Sequence, residues 1–206
     1  MIEKTAMYKL TYGLFVLTTK DEQGQDNGCI VNTVSMLTEN PMRVTVFVNK
    51  ANYTEETLRK TGVFNACVLT ENAPFSVFEK FGFQSGRNTD KTAGDNYPRT
   101  ENGLIYIPEK TNAVISGKVI DALDYGTHTL FVAEVTGAVK LSDDKSVTYE
   151  YYQNNIKPKP QKAEKPEKGK EKWVCTICGY EHEGELPDDF ICPWCKHPAS
   201  DFEKVN

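Results

Sequence analysis

Cys175 and Cys178, then Cys192 and Cys195, form two Cys-x-x-Cys hooks within the last 32 residues of a 206-residue chain. Two such hooks bring four thiolate sulfurs to one metal ion in a closed tetrahedron. Iron in that cage carries one electron, whereas zinc only holds a shape, and the spacing leaves the two open. Gly179 suits the left-handed backbone needed where the chain curls round the sulfurs. Trp173, Tyr180, Phe190, Trp194 and Phe202 give this 34-residue tail a heavy aromatic load. So short a segment is not expected to hold a core without its metal.

The remaining cysteines, Cys29 and Cys67, have no evident partner arrangement and read as small buried apolar residues, as a reducing cytoplasm permits. A formal net charge of −5 gives phosphate-backbone attraction no global support, so nucleic acid is not an expected partner. No apolar run approaches the roughly 20 residues needed to span a bilayer, so neither is a membrane. Residues 157–172 hold seven Lys, three Pro and three Glu, with nothing apolar larger than Ala163. That stretch reads as a solvated, fairly extended linker, with a reach on the order of 50 Å. Three parts follow: a large domain over residues 1–156, the linker over 157–172 and the metal module over 173–206.

The large domain reads as mainly β. Segments 11–19, 29–37, 43–49, 64–70, 104–107, 114–122 and 128–141 are rich in Val, Ile, Phe, Tyr and Thr. Val44, Val46 and Val48 alternate with Thr45 and Phe47. One helix is expected after Asn52, with Glu55 answering it three residues on as a capping box and Gly62 as the stop. A second runs from Pro74 to Phe81. Many strands with few helices argue for a barrel, and no Gly-x-Gly-x-x-Gly follows a strand to indicate a Rossmann fold.

The tail resembles rubredoxin. It has an aromatic residue two before the first Cys, Cys-x-x-Cys-Gly-Tyr, and Cys-Pro-aromatic-Cys. Only 13 residues separate the hooks, like the shortened form appended to rubrerythrin, and Lys196 stands where Gly is usual. Upstream, three stretches resemble the flavin reductase family in order. They are Asn27-Gly28-Cys29 with Asn32-Thr33-Val34-Ser35-Met36-Leu37-Thr38, then Val48 to Thr54, then Ser85-Gly86-Arg87-Asn88-Thr89-Asp90-Lys91. Gly126 to Val132 matches the family's late strand, which bears His128. The resemblance covers nearly all of residues 1–150 and implies a split β-barrel that acts as a homodimer, with FMN near the subunit interface.

By that resemblance the flavin contacts fall on Asn27, Asn32, Thr33, Val34, Ser35, Met36, Lys50, Asn52, Tyr53, Thr54, Ser85, Arg87, Lys91 and His128. The residue types suit the task. Lys50, Asn52 and Thr54 at a helix start offer a cation and donors for a phosphate. Strand 32–36 mixes apolar and short polar side chains for the ring. Arg87 and Lys91 can neutralise phosphate or reduced flavin, and His128 can touch flavin or nicotinamide. Asn52 and Thr54 also read as plain helix caps, and a lone strand histidine as structural. No side chain is assigned as catalytic.

The two resemblances together imply an electron-transfer oxidoreductase. NADH or NADPH would reduce FMN, and a Fe(Cys)4 centre would accept electrons singly and pass them to a protein such as a flavodiiron oxygen or nitric oxide reductase. A flavin reductase releasing reduced FMN beside a zinc ribbon, and a flavin-binding adaptor, are the other readings.

Overall fold

Period-two alternation lets one strand feed two cores at once, and β1 (Phe15–Lys20) does this. Phe15 and Leu17 enter one apolar cluster with Val31, Val46, Phe64 and Phe131. Val16 faces a second, with Leu69, Phe78, Phe81 and Val147. The structure, a computed structural model, describes residues 3–108, 110–158, 171–175, 180–192 and 198–205. The chain separates into two compact units, Met1–Ile156 and Lys157–Asn206.

The first unit is mostly strand. After β1 come β2 (Asp26–Val31), β3 (Val34–Thr38), β4 (Arg43–Asn49), β5 (Val63–Leu69), β6 (Thr111–Asp124) and β7 (His128–Lys140). They form one sheet in the order β2-β1-β5-β6-β7-β4-β3, with each neighbouring pair antiparallel. Segment 29–37, expected as a single strand, is two strands broken at Asn32-Thr33. The break has a physical reason. β2 and β3 are the first and last strands of the hydrogen-bonded order, yet only those two residues join them. The three steps from Val31 to Val34 span at most about 10 Å, so the sheet must curl until its outer strands meet. Phe47 N donates to Thr33 O at 3.2 Å across the bend.

Curling also needs the long β6–β7 ribbon to bend, and its register shifts between Ser116 and Gly117 and between Val119 and Asp121. A Cβ on Gly117 would lie 2.4 Å from the Phe64 ring, so only glycine lets the core ring sit beneath that bulge. Segment 104–107, expected as a strand, makes only an isolated bridge, Ile105 to Arg99. Its apolar side chains are buried because Thr18 and Asn65 bind the Leu104 and Ile105 carbonyls.

The two longest α-helices are α1 (Tyr53–Thr61) and α2 (Phe75–Gly82), and a short helical stretch over residues 149–156 follows the last strand of this unit. Left-handed Gly62, at φ 70°, ends α1 as expected. The capping box does not form: the Asn52 side chain makes no cap bond, and Glu55 turns away from it. Among the described residues, no helix is long and apolar enough to cross a membrane.

In the second unit, β8 (Lys172–Cys175), β9 (Glu181–Glu183) and β10 (Phe202–Val205) form a small antiparallel sheet in the order β10-β8-β9. Phe190 and Phe202 meet edge to face at 5.4 Å, with Tyr180 packed at 6.4 Å from Phe202. Most of the expected linker, residues 159–170, lies outside the described residues.

Candidate functional site

The β4–α1 junction gathers most of the candidate groups. Lys50, just after β4, donates its amide to Thr127 O at 3.0 Å, and its ammonium lies 2.5 Å from Asp124 Oδ2. The ammonium, with the Gly126 amide behind it, holds the Asp124 carboxyl below its usual range. His128 pairs across the sheet with Asn49, and its Nδ1 lies 2.9 Å from Thr127 Oγ1. Lys50 and His128 therefore share one end of the barrel with the start of α1.

Tyr53 and Thr54 open that helix. Because the Asn52 side chain does not cap it, the Tyr53 and Thr54 amides are left to another acceptor, at the end where the helix dipole is positive, while the Glu55 amide bonds Asn52 O. Arg87 stacks over the Tyr53 ring at 5.1 Å and bridges Glu56 at 2.8 Å, and Ser85 Oγ accepts the Arg87 amide. Asn27 is buried in β2 and donates Nδ2 to Thr54 Oγ1 at 3.0 Å. Thr54 is buried as well, so its hydroxyl serves the floor of the site rather than its mouth.

Gly86 closes this group. A Cβ there would sit 2.2 Å from Asn27 Oδ1 and 3.1 Å from the Tyr53 ring, so a glycine is needed to bring the 85–91 loop onto β2. Lys91 completes the seam from below. It is 5 % exposed and donates to Gly28 O at 2.8 Å and to Phe81 O at 3.3 Å. Burial pushes its pKa down, with the nearby Cys29 thiol acting the other way. Its ammonium thus faces β2 and the end of α2, not the helix start where Lys50 and Arg87 lie.

The strand residues extend the site along the sheet. Thr33 bonds Phe47 O, Val34 stands opposite Val46 and packs on the core, Ser35 stands opposite Thr45, and Met36 opposite Val44. Asn32 is half-buried at the bend, and Met36 is 67 % exposed. Six residue steps lead from Val44 to Lys50, so Met36 lies roughly 20 Å along the strands from the cation. A ligand touching both must be elongated, with its anionic end at α1. A mononucleotide carrying a fused ring has that form, and the donors at Lys50 and α1 fit its phosphate.

Several groups here carry no local sequence signal. Asp124 meets Lys50 from 74 positions away, as Glu55 meets Thr129. Only the spacing of Glu55 and Arg59, four apart on a helix, was readable in advance. Cys29 and Cys67 are buried as expected. Burial raises the Cys29 thiol, against a Thr54 hydrogen bond and the Lys91 charge, and pushes Cys67 up to about 12.

Of the four hook cysteines, Cys175 ends β8 and Cys192 follows Ile191, and both are buried, at 1 % and 0 % exposed. Cys175 N donates to Tyr180 O at 2.8 Å, which turns the chain back after the first hook. Cys178 and Cys195 lie outside the described residues. A thiolate set of this kind is chemically suited to iron or zinc.

A curled antiparallel sheet with an anion-ready helix start, followed in the same chain by paired cysteine hooks, is the plan of a flavoprotein carrying an electron-transfer metal module. The chain belongs to the flavin reductase like domain family, whose model matches residues 7–159, and residues 173–203 match the rubrerythrin, rubredoxin-like domain. It is an oxidoreductase with a flavin part and a rubredoxin-type part. Across 99 % of its length it is 32 % identical to the high molecular weight rubredoxin of Moorella thermoacetica, all of which is covered. It is 36 % identical to the ferric-chelate reductase (NAD(P)H) of Archaeoglobus fulgidus, over 71 % of this chain and 86 % of that one. The styrene monooxygenase flavin reductase of Pseudomonas putida S12 shares the fold, with a TM-score of 0.60 and 19 % identity, over 91 % of this chain and 99 % of that one.

Proposed function

We propose that this protein takes electrons from NADH or NADPH into FMN, passes them to a Fe(Cys)4 centre, and delivers them to an acceptor protein of the flavodiiron type. The observation that carries the reading is the union in one chain of a flavin reductase-like domain and a rubredoxin-like domain. A relative joined over its whole length bears the name of a rubredoxin, and one matched over the first domain is named for NAD(P)H-dependent reduction. When bound, the flavin exchanges two electrons with a nicotinamide and one at a time with iron, so each nicotinamide reduces two equivalents of iron.

The residues divide the work. Lys50, with the Asn52 side chain and the first-turn amides of α1 at Tyr53 and Thr54, holds the phosphate. Arg87, fixed by Tyr53, Glu56 and Ser85, adds a second positive charge at the rim. Asn27 keeps Thr54 in place, and Asn32, Thr33, Val34, Ser35 and Met36 border the ring. His128, beside Lys50, touches the flavin at that end. Lys91 acts by holding the 85–91 loop on β2. Cys175, Cys178, Cys192 and Cys195 are the iron ligands. Residues 1–156, 157–172 and 173–206 are the split barrel, the linker and the metal module.

The barrel is read as half of a homodimer in the cytoplasm. Phe47, Leu130 and Leu123 form one row across β4, β7 and β6, and Phe47 and Leu123 are 36 % and 42 % exposed. A second copy is the occupant that would cover them.

Anaerobic titration of the purified full chain with each nucleotide tests the relay. Flavin and ferric-thiolate bands should both bleach, and Cys178→Ser should spare flavin reduction while stopping delivery to an acceptor protein. A tail that takes up zinc under ample iron, or delivery that persists in Cys178→Ser, would overturn it.

A further inference from the structure

Glu55 is the third residue of α1 and 5 % exposed, an unusual place for an unneutralised carboxylate. Its Oε1 accepts the Thr129 hydroxyl at 2.5 Å and Arg59 Nη2 at 2.5 Å. Arg59 Nη2 also donates to Thr129 Oγ1 at 2.8 Å, which closes a triangle. The hydroxyl donates a hydrogen bond to the carboxylate and offers a lone pair to the guanidinium, so each of these contacts has one donor and one acceptor.

The placement of the triangle gives it a consequence. Thr129 is fully buried, follows His128 in β7, and stands opposite Val48 of β4 and Asp124 of β6. The triangle therefore fastens the first turn of α1 to the strand ends that carry Lys50, Asp124 and His128. It also balances charge: a bare carboxylate in the first turn of a helix would oppose an incoming phosphate, and Arg59 offsets it.

We infer that Glu55 is a positioning residue whose triangle with Thr129 and Arg59 sets the α1 amides against Lys50 and His128, and so fixes how strongly the flavin phosphate is held. The inference rests on the flavin reading above. It assigns no contact between Glu55 and the ligand.

The test compares two flavins that differ only in the phosphate. The full-length chain, stripped of flavin, is titrated with FMN and with riboflavin, following quenching of flavin fluorescence. The ratio of the two dissociation constants cancels losses of ring binding and of folded fraction. The unaltered protein should prefer FMN by on the order of tenfold or more, the worth of a charged hydrogen bond. Glu55→Ala should lower that preference by about tenfold. Glu55→Gln, which can still accept from Thr129 and Arg59, should restore most of it. Thr129→Val, which removes the tether without stranding a charge, should lower it too and covers the case of Glu55→Ala failing to fold. Folded Glu55→Ala and Thr129→Val proteins that keep the original preference would overturn the positioning role. An unaltered protein that binds both flavins equally would instead overturn the phosphate reading beneath it.

Discussion

Gly86→Ala is the substitution that probes the seam between the 85–91 loop and β2 most directly. A Cβ at that position would stand 2.2 Å from Asn27 Oδ1 and 2.9 Å from its Cγ. Asn27 cannot swing aside without loss: it is 4 % exposed, and its amide donates to Thr54. Either the loop lifts or the amide is left buried and unpaired, at about 1–3 kcal/mol. We expect Gly86→Ala to destabilise the barrel by about 2 kcal/mol and to shed flavin into solution. Asn27→Ala removes both the obstacle and the bond, so the double variant should be about as stable as Asn27→Ala alone. The coupling should then be about 2 kcal/mol, well beyond the roughly 0.5 kcal/mol scatter of independent sites. Urea unfolding followed by far-ultraviolet circular dichroism reads the barrel, because both tryptophans, Trp173 and Trp194, lie in the other unit. Additive losses would refute the packing argument.

Two further outcomes follow from the charges around the site. Asp124→Asn releases Lys50 from its ion pair and should tighten FMN binding by about two- to fivefold at low salt, fading as salt is raised; unchanged affinity at low salt in a fluorescence titration would remove Lys50 from the phosphate cradle. Burial lowers the pKa of Lys91 in the folded protein relative to its ordinary 10.5, so on the way up to that pH the folded chain loses this proton before the unfolded one does. Stability relative to Lys91→Met should therefore rise as the pH climbs toward 10.5, measured by urea midpoints, and a flat or falling difference would contradict it.

Local signals were legible wherever spacing alone decides the outcome. The bounds of β4 and the glycine that ends α1 follow from residues within a few positions of one another. What escaped was set by distant partners. Asn32 and Thr33 look no different from strand residues, and only the need of the two outer strands to meet breaks 29–37 into β2 and β3. Segment 104–107 is buried because Asn65 and Thr18 hold it down, not because it pairs in the sheet. Asn52 and Glu55 have the spacing of a capping box, but the Thr129 hydroxyl offers Glu55 a buried bond that the helix start does not. Lys91 sits in a polar loop and reads as a cation for phosphate or reduced flavin, yet the Gly28 and Phe81 carbonyls draw it inside.

The two-residue join between β2 and β3 also governs how this sheet meets other chains. A sheet's outer strands carry unpaired amides and carbonyls that invite a foreign strand, and most proteins blunt each one separately. Here both outer strands are consecutive stretches of one chain, so a single bend folds the two vulnerable margins toward each other. Cleaving the backbone at Asn32-Thr33 would free both margins together, leaving an open ribbon with two sticky sides. Solubility and the ring-bordering segment of the proposed flavin site thus depend on the same short corner.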